Sequence, residues 1–314
     1  MMTVAQESVG AAPRPAPIVV WWRALRAYSF PASLVPCLVG AAYVAFAGAP
    51  VDWRFLPLVL VGGVALHVGT NLVNDAVDFQ RGVDTPDALG GSGVLTAGWL
   101  GARDVWIGAL VAFGVAALVG VPLIVARGWP FALIGLVGAL GGYAYTGPPL
   151  ALKYRALGEV WVFVLMGTLM VVGAGYALSG TLPPRLWLCS IPVGFLVAAI
   201  LAANNQRDRE GDHAHRVRTL ATLLGPAGAR VVTIGLVAGT YVSLVALWVA
   251  RCVPALALLA LLTVPLAVPL LRALRRDGPG RPLAPGTVER IAALHLFFGL
   301  AYALGLTLHA VFAR

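Results

Sequence analysis

The chain has 314 residues, of which 60% are hydrophobic and only 11% charged, with a mean hydropathy of +0.87. Soluble domains carry about a quarter charged residues, so this composition excludes a water-soluble globular protein. The net charge of +9 sits in short loops between apolar segments, which argues against a nucleic-acid partner and for a membrane protein among lipids.

In chain order, residues 1–17 contain Pro and small residues without a charged n-region or an apolar core. They read as a disordered tail and not as a signal peptide. Residues 18–314 read as a single transmembrane domain. Nine apolar runs follow, at about 30–48, 55–75, 104–126, 130–146, 157–180, 186–206, 229–250, 253–274 and 288–312. Each is close to the roughly 20 residues that a helix needs to cross hydrocarbon. The abundance of Gly and the lack of alternating patterns favour helices over a barrel. The expected fold is therefore all-α, a polytopic bundle of about nine transmembrane helices. Cys37, Cys189 and Cys252 fall within or beside spans, form no CxxC pair, and read as small buried hydrophobes.

With the N-terminus inside, 17 of the 22 Lys and Arg fall in the tail and the even-numbered loops, and 5 on the opposite side. The positive-inside rule assigns the richer side to the cytoplasm, in a bacterial-type inner membrane. No linker divides the chain into soluble domains. The loop after the second span contains Thr85-Pro86-Asp87 and Gly90-Gly91-Ser92-Gly93. It is expected either to cap a polar chamber with exposed N–H groups or to be a plain connector.

The acidic residues are few and concentrated. Of 13, seven lie in two stretches: Asp75, Asp78, Asp84 and Asp87 after the second span, and Asp208, Glu210 and Asp212 after the sixth. Carboxylates near a bilayer are costly and are functional candidates by default. Asn71, Asp75 and Asp78 are spaced i, i+4, i+7, with Asn74 beside them. Asn204, Asp208 and Asp212 are spaced i, i+4, i+8. Each set lies on one face of a continuing helix, as in a weak internal duplication.

Both clusters fall on the cytoplasmic side, although the orientation rests on basic residues alone. Mg²⁺ takes hard oxygen ligands, usually one or two carboxylates plus substrate phosphates. Two facing Asp-rich helix ends suit a diphosphate between metals, and apolar helices around them would shield an allylic cation and hold a lipid tail. A cation-coupled transporter is the rival of another class, but its acids should lie near mid-span.

The run Asn74-Asp75-Ala-Val-Asp78 resembles the first Asp motif of the UbiA superfamily of intramembrane prenyltransferases, and Asp208-Arg-Glu-Gly-Asp212 resembles the second. The likeness covers nearly the whole chain. Three further stretches resemble the 1,4-dihydroxy-2-naphthoate polyprenyltransferase (MenA) branch: Tyr145-Thr-Gly-Pro-Pro-Leu150, Leu157-Gly-Glu159-Val160, and Asn204-Asn205 through Arg218-Thr219-Leu220-Ala221. One departure stands out. The position four residues after Asp78, acidic in the commonest first motif, is Gly82 here, and the next acid is Asp84.

The resemblance implies a UbiA-like central chamber and Mg²⁺-dependent transfer of a polyprenyl group from its diphosphate to an aromatic ring carbon, in isoprenoid quinone synthesis. Carried onto matching positions, Asp75 and Asp78 would serve one metal and Asp208 and Asp212 the other. Asn71, Asn74 and Asn204 would orient ligands or reach diphosphate oxygens. Lys153 and Arg155 are candidates for the diphosphate or for positive-inside anchors, and Arg26 for either role. Tyr145 and Tyr143 would present π faces to the cation or belong to an interfacial belt. His67 reads as a satisfied core histidine. Within the superfamily, 4-hydroxybenzoate, homogentisate or a tetrapyrrole are alternative acceptors.

Overall fold

The computed structural model describes residues 14–86, 90–276 and 282–312. Residues 1–13 of the expected tail, Asp87 and Arg281 lie outside the described residues. Among the described residues there is no strand. A short helix α1 (Pro17–Ala24) precedes the spans. Eight helices are long and apolar enough to cross a membrane: α2 (Ala27–Phe46), α3 (Trp53–Gln80), α4 (Ala102–Arg127), α6 (Gly158–Ser179), α7 (Leu186–Ala214), α8 (Leu220–Val249), α9 (Ala255–Arg276) and α10 (Thr287–Phe312). The ninth expected span is α5 (Trp129–Thr146), 18 residues with a Gly-rich second half. It rises about 27 Å at 1.5 Å per residue, near the hydrocarbon thickness. The protein is an integral membrane protein.

Helix starts follow from sequence. Pro occupies the first turn of α1 and α5 and the first turn of the α-helical segments Leu56–Gln80 of α3 and Ile191–Ala214 of α7, where its missing N–H leaves nothing unsatisfied. Three boundaries differ from the hydropathy reading by five residues or more, the ends of α3 and α7 and the start of α8. Helix α3 continues to Gln80 and α7 to Ala214, beyond the expected ends at 75 and 206. Polar residues end a hydropathy run but not a helix when their side chains face a polar chamber. Helix α8 begins at Leu220 and is kinked where Gly225 takes φ 68°, before Pro226.

Consecutive spans pack side by side from α2 to α10, and α10 returns to α2, closing a ring. Small residues let backbones meet where lipid offers no hydrophobic drive between helices. A Cβ on Gly167 of α6 would lie 2.4 Å from the Gly194 Cα of α7. At the end away from the acidic clusters, Arg127 donates to the Ala177 and Leu178 carbonyls at 2.7 and 2.8 Å, tying α4 to α6. Cys37, Cys189 and Cys252 are free and buried, as expected.

Candidate active site

The ring encloses a cavity of about 1420 Å³ lined from α2 to α7 and from the start of α10. One end is polar: Arg26, Asn71, Asn74, Asp78, Asp84, Lys153, Asn204, Arg207, Asp208 and Asp212 all line it. The remainder runs between apolar faces, with Leu66, Phe113, Val121, Ile124, Phe131 and Ile134 among its walls. Part of α6 beside it, Phe163–Leu169, is a π-helix, and Leu165, Met166 and Leu169 of this turn face the cavity. Such turns recur at functional sites.

The first cluster is neutralised from within the fold. Asp78, on the last turns of α3, is buried and accepts hydrogen bonds from Asn74 Nδ2 (2.7 Å), Lys153 Nζ and the Tyr154 hydroxyl. Lys153 and Tyr154 ride on a short 3₁₀ turn, Leu152–Arg155, flanked by Ala151 and Ala156 at φ 45° and 55°. Left-handed backbone at a non-Gly residue costs of order 1–3 kcal/mol and persists only where surroundings impose it. Here Ala156 N–H donates to the Arg218 carbonyl at 2.7 Å, clamping this turn to the loop after α7. Arg81 stacks on the Tyr154 ring at 4.2 Å and holds it in place. Burial is the largest influence and opposes the Lys153 charge, but Asp78, Tyr145 and Tyr154 together overcome it and raise the ammonium pKa above the usual lysine range.

Asp75 is buried against Arg26, which donates to its Oδ1. Arg26 takes φ 50° between α1 and α2, a break that turns its guanidinium toward α3. It also reaches Asn74 Oδ1 at 3.3 Å.

The second cluster is less committed. Asp208 makes a bidentate pair with its neighbour Arg207 at 2.8 and 2.9 Å. Asp212 is buried, and among the described residues it has no ion-pair partner. The loop after α3 reaches across to it: a Cβ on Gly90 would lie 2.7 Å from Asp208 Oδ2, and one on Gly91 2.5 Å from Asp84 Oδ2. A Cβ at either position would have to push the facing carboxylate aside. Burial, then Asp78 and Asp75, push the Asp84 carboxyl up to about 6.

Of the sequence candidates, Asp78, Asp208, Asp212, Asn71, Asn74, Asn204, Lys153, Arg26 and Tyr145 line one cavity. Asp75 stands beside it, behind Arg26. Arg155 does not join them; it is exposed on the loop and donates to the Pro149 carbonyl at 3.0 Å. His67 also lines the cavity, with Nδ1 2.7 Å from Ser33 Oγ. Sequence reasoning missed Tyr154, Arg207 and Asn205 as site residues. Tyr154 and Arg207 sit next to chosen positions, and adjacency to Lys153 and Asp208 was the available signal.

The donor set suits a hard divalent cation. It offers carboxylate and amide oxygens with no thiolate, and Asp75 Oδ2 is buried without a hydrogen-bond partner. Among the described residues no three His, Cys, Asp or Glu side chains converge as a metal cage. Substrate oxygens and water would complete the coordination, the usual habit of Mg²⁺.

Residues 33–282 match the UbiA prenyltransferase family. The chain belongs to that family. This prenyltransferase is 31% identical to the 1,4-dihydroxy-2-naphthoate octaprenyltransferase of Bacillus subtilis over 288 residues, 91% of this chain and 92% of that protein. It is 32% identical to the UbiA prenyltransferase domain-containing protein 1 of Gallus gallus over 293 residues, 91% of this chain and 84% of that one. In fold, the prenyltransferase resembles a UbiA homolog from Archaeoglobus fulgidus bound to GPP and Mg²⁺. The TM-score is 0.63 at 19% identity, covering 91% of this chain and 99% of that one.

Proposed function

We propose that this enzyme transfers a polyprenyl group from its diphosphate to 1,4-dihydroxy-2-naphthoate, with loss of the carboxylate, as a step of menaquinone synthesis at the cytoplasmic face of a bacterial inner membrane. The observation that carries the reading is a single cavity that joins a mouth lined by carboxylates and by Arg26, Lys153 and Arg207 to a long apolar interior. A molecule with a diphosphate head and an isoprenoid tail is the ligand complementary to both ends. The acceptor is taken from the Bacillus subtilis relative, which matches over nearly its whole length.

In this reading Asp75, Asp78, Asp208 and Asp212 hold Mg²⁺, with Asn71, Asn74 and Asn204 completing the oxygen and amide lining. When bound, Mg²⁺ supplies the positive charge that stabilises diphosphate as a leaving group. Arg26, Lys153 and Arg207 add fixed cations at the same mouth, where guanidinium forks match phosphate oxygens. The C1–O bond of the prenyl diphosphate breaks with its electron pair passing to the diphosphate. The ring carbon bearing the carboxylate supplies the pair for the new C–C bond. Loss of carbon dioxide then returns a pair to the ring. The apolar walls exclude water that would otherwise capture the allylic cation. The hydroxylated ring is electron-rich enough that the step requires no strong protein base.

Purified protein given Mg²⁺, a panel of prenyl diphosphates and a panel of aromatic acids tests this by mass analysis of products. Carbon dioxide should appear one-to-one with prenylated naphthoate. Turnover of 4-hydroxybenzoate with its carboxylate retained, and none of the naphthoate, would move the enzyme to another acceptor class. For orientation, a single cysteine at His215 in a cysteine-free background should label only from the cytoplasmic side, and one at Asp52 only from outside.

A further inference from the structure

Glu159 and Asn205 form a polar pair that the diphosphate site does not use. Glu159 lies on the first turn of α6 and is 5% exposed; Asn205 lies on α7 and is 6% exposed. Asn205 Nδ2 donates to Glu159 Oε1 at 2.9 Å, and Glu159 Oε2 is buried without a partner. Two apolar side chains would fill the same helix junction without burying a carboxyl group. The pair therefore calls for a role other than packing, and Asn205 is the member that lines the cavity.

A carboxylate oxygen only accepts hydrogen bonds. Glu159 thus turns the Asn205 NH₂ toward α6 and leaves Asn205 Oδ1 as an acceptor of fixed direction. The surroundings are aromatic. Tyr145 and Trp161 line the same cavity, and Trp161 is held by its Nε1 donating to the Gly141 carbonyl at 2.9 Å. Tyr145 lies against the start of α6, its ring 3.5 Å from where a Cβ on Gly158 would stand. Asn205 precedes Asp208 by three residues, so it sits about one helical turn deeper than Asp208, at the inner edge of the diphosphate mouth. A ring bound there would lie beside the first carbons of the prenyl chain.

We infer that Asn205, oriented by Glu159, recognises a ring hydroxyl of the aromatic acceptor, with Tyr145 and Trp161 flanking the ring. Asn205 takes no proton; it accepts a hydrogen bond, which keeps electron density in the ring that must act as nucleophile. Glu159 is a positioning residue. The inference rests on the reading of a hydroxylated aromatic acceptor given above, and it adds how that acceptor is chosen.

The test is equilibrium binding to the full-length protein, measured anaerobically for 1,4-dihydroxy-2-naphthoate, for its analogues lacking either ring hydroxyl, and for a non-reactive geranyl diphosphate analogue. Wild type should prefer the dihydroxy ligand over one analogue by about tenfold, the loss expected for one hydrogen bond. In Asn205→Leu that ratio should fall to near one. In Glu159→Gln it should fall part-way, because a glutamine amide also donates and no longer fixes the Asn205 amide. The diphosphate analogue should bind both variants within twofold of wild type. A ratio preserved in Asn205→Leu, equal loss of both ligand classes, or no hydroxyl preference in wild type would overturn the inference. Wild type that shows the binding preference but prenylates no naphthoate would instead sink the reaction proposed above and leave the recognition standing.

Discussion

The two acidic helix ends carry similar residues and are electrostatically opposite. At the end of α3, Asp75 and Asp78 arrive already paired, by Arg26 on one side and by Lys153, Tyr154 and Asn74 on the other. At the end of α7, Asp208 has only its sequence neighbour Arg207, and Asp212 is buried with no ion-pair partner among the described residues. The first end thus holds its carboxylates in place through the fold. The second has fewer partners: Asp208 pairs with Arg207 alone, and Asp212 with no cation among the described residues. A duplicated motif can thus reach one cavity with its two copies differently held: one is oriented by cations and hydrogen bonds of the fold, the other by little beyond its own helix.

Asp78→Asn leaves Lys153 buried without its counter-charge, and removing one partner of a buried pair costs about 3–5 kcal/mol. Asp212→Asn strands no cation and removes a buried carboxylate that has no ion-pair partner among the described residues, so it should leave the metal-free protein no less stable than wild type. Thermal unfolding of both variants in detergent decides; equal shifts would show that the two ends are not distinct.

The catalytic side of the comparison is next in size. Asp208→Asn should lower turnover by about 10²–10³, the usual cost of removing a major electrostatic stabiliser, while its melting curve overlays wild type. EDTA should produce a similar loss in wild type, reversed by added Mg²⁺. Activity persisting after chelation would remove the metal from the reading.

The loop between the two ends offers a smaller effect. Gly90→Ala places a Cβ within 2.7 Å of Asp208 Oδ2, so that carboxylate must shift. A displacement of this kind should lower kcat/KM by about tenfold with little change in stability. Unaltered kinetics would mean that the loop does not set the position of Asp208.

Asp84 makes stability depend on pH. Its carboxyl is raised from the ordinary 3.8 to about 6 by burial and by Asp78 and Asp75, so the folded state binds the extra proton. Its contribution to stability is therefore fully present below about pH 4 and is lost as pH rises through 6. Metal-free Asp84→Asn should melt higher than wild type at pH 7.5, and the difference should vanish near pH 4. Melting curves across that range that never separate would place Asp84 outside the cluster's field.

Much of this site was legible before any coordinates. Hydropathy marked the spans, because crossing hydrocarbon demands long apolar helices. The rarity of carboxylates made Asp75, Asp78, Asp208 and Asp212 conspicuous, and helical spacing placed each set on one face. Arg155 and Lys153, two residues apart, read alike in sequence. In the structure the turn bracketed by Ala151 and Ala156 sends Lys153 to Asp78 and leaves Arg155 on the surface.

By itself, the sequence determined a helical membrane protein with its charge on one face and two acid-bearing helix ends there. These follow from composition and local periodicity, which act within a segment. Only the tertiary structure decided which acids are paired with cations, that Gly90 lies against Asp208, and that Asn205, bonded to Glu159, lines the cavity. Those outcomes depend on pairings between residues tens of positions apart. Such pairings are set by how the helices close into a ring, and no single stretch of sequence encodes them.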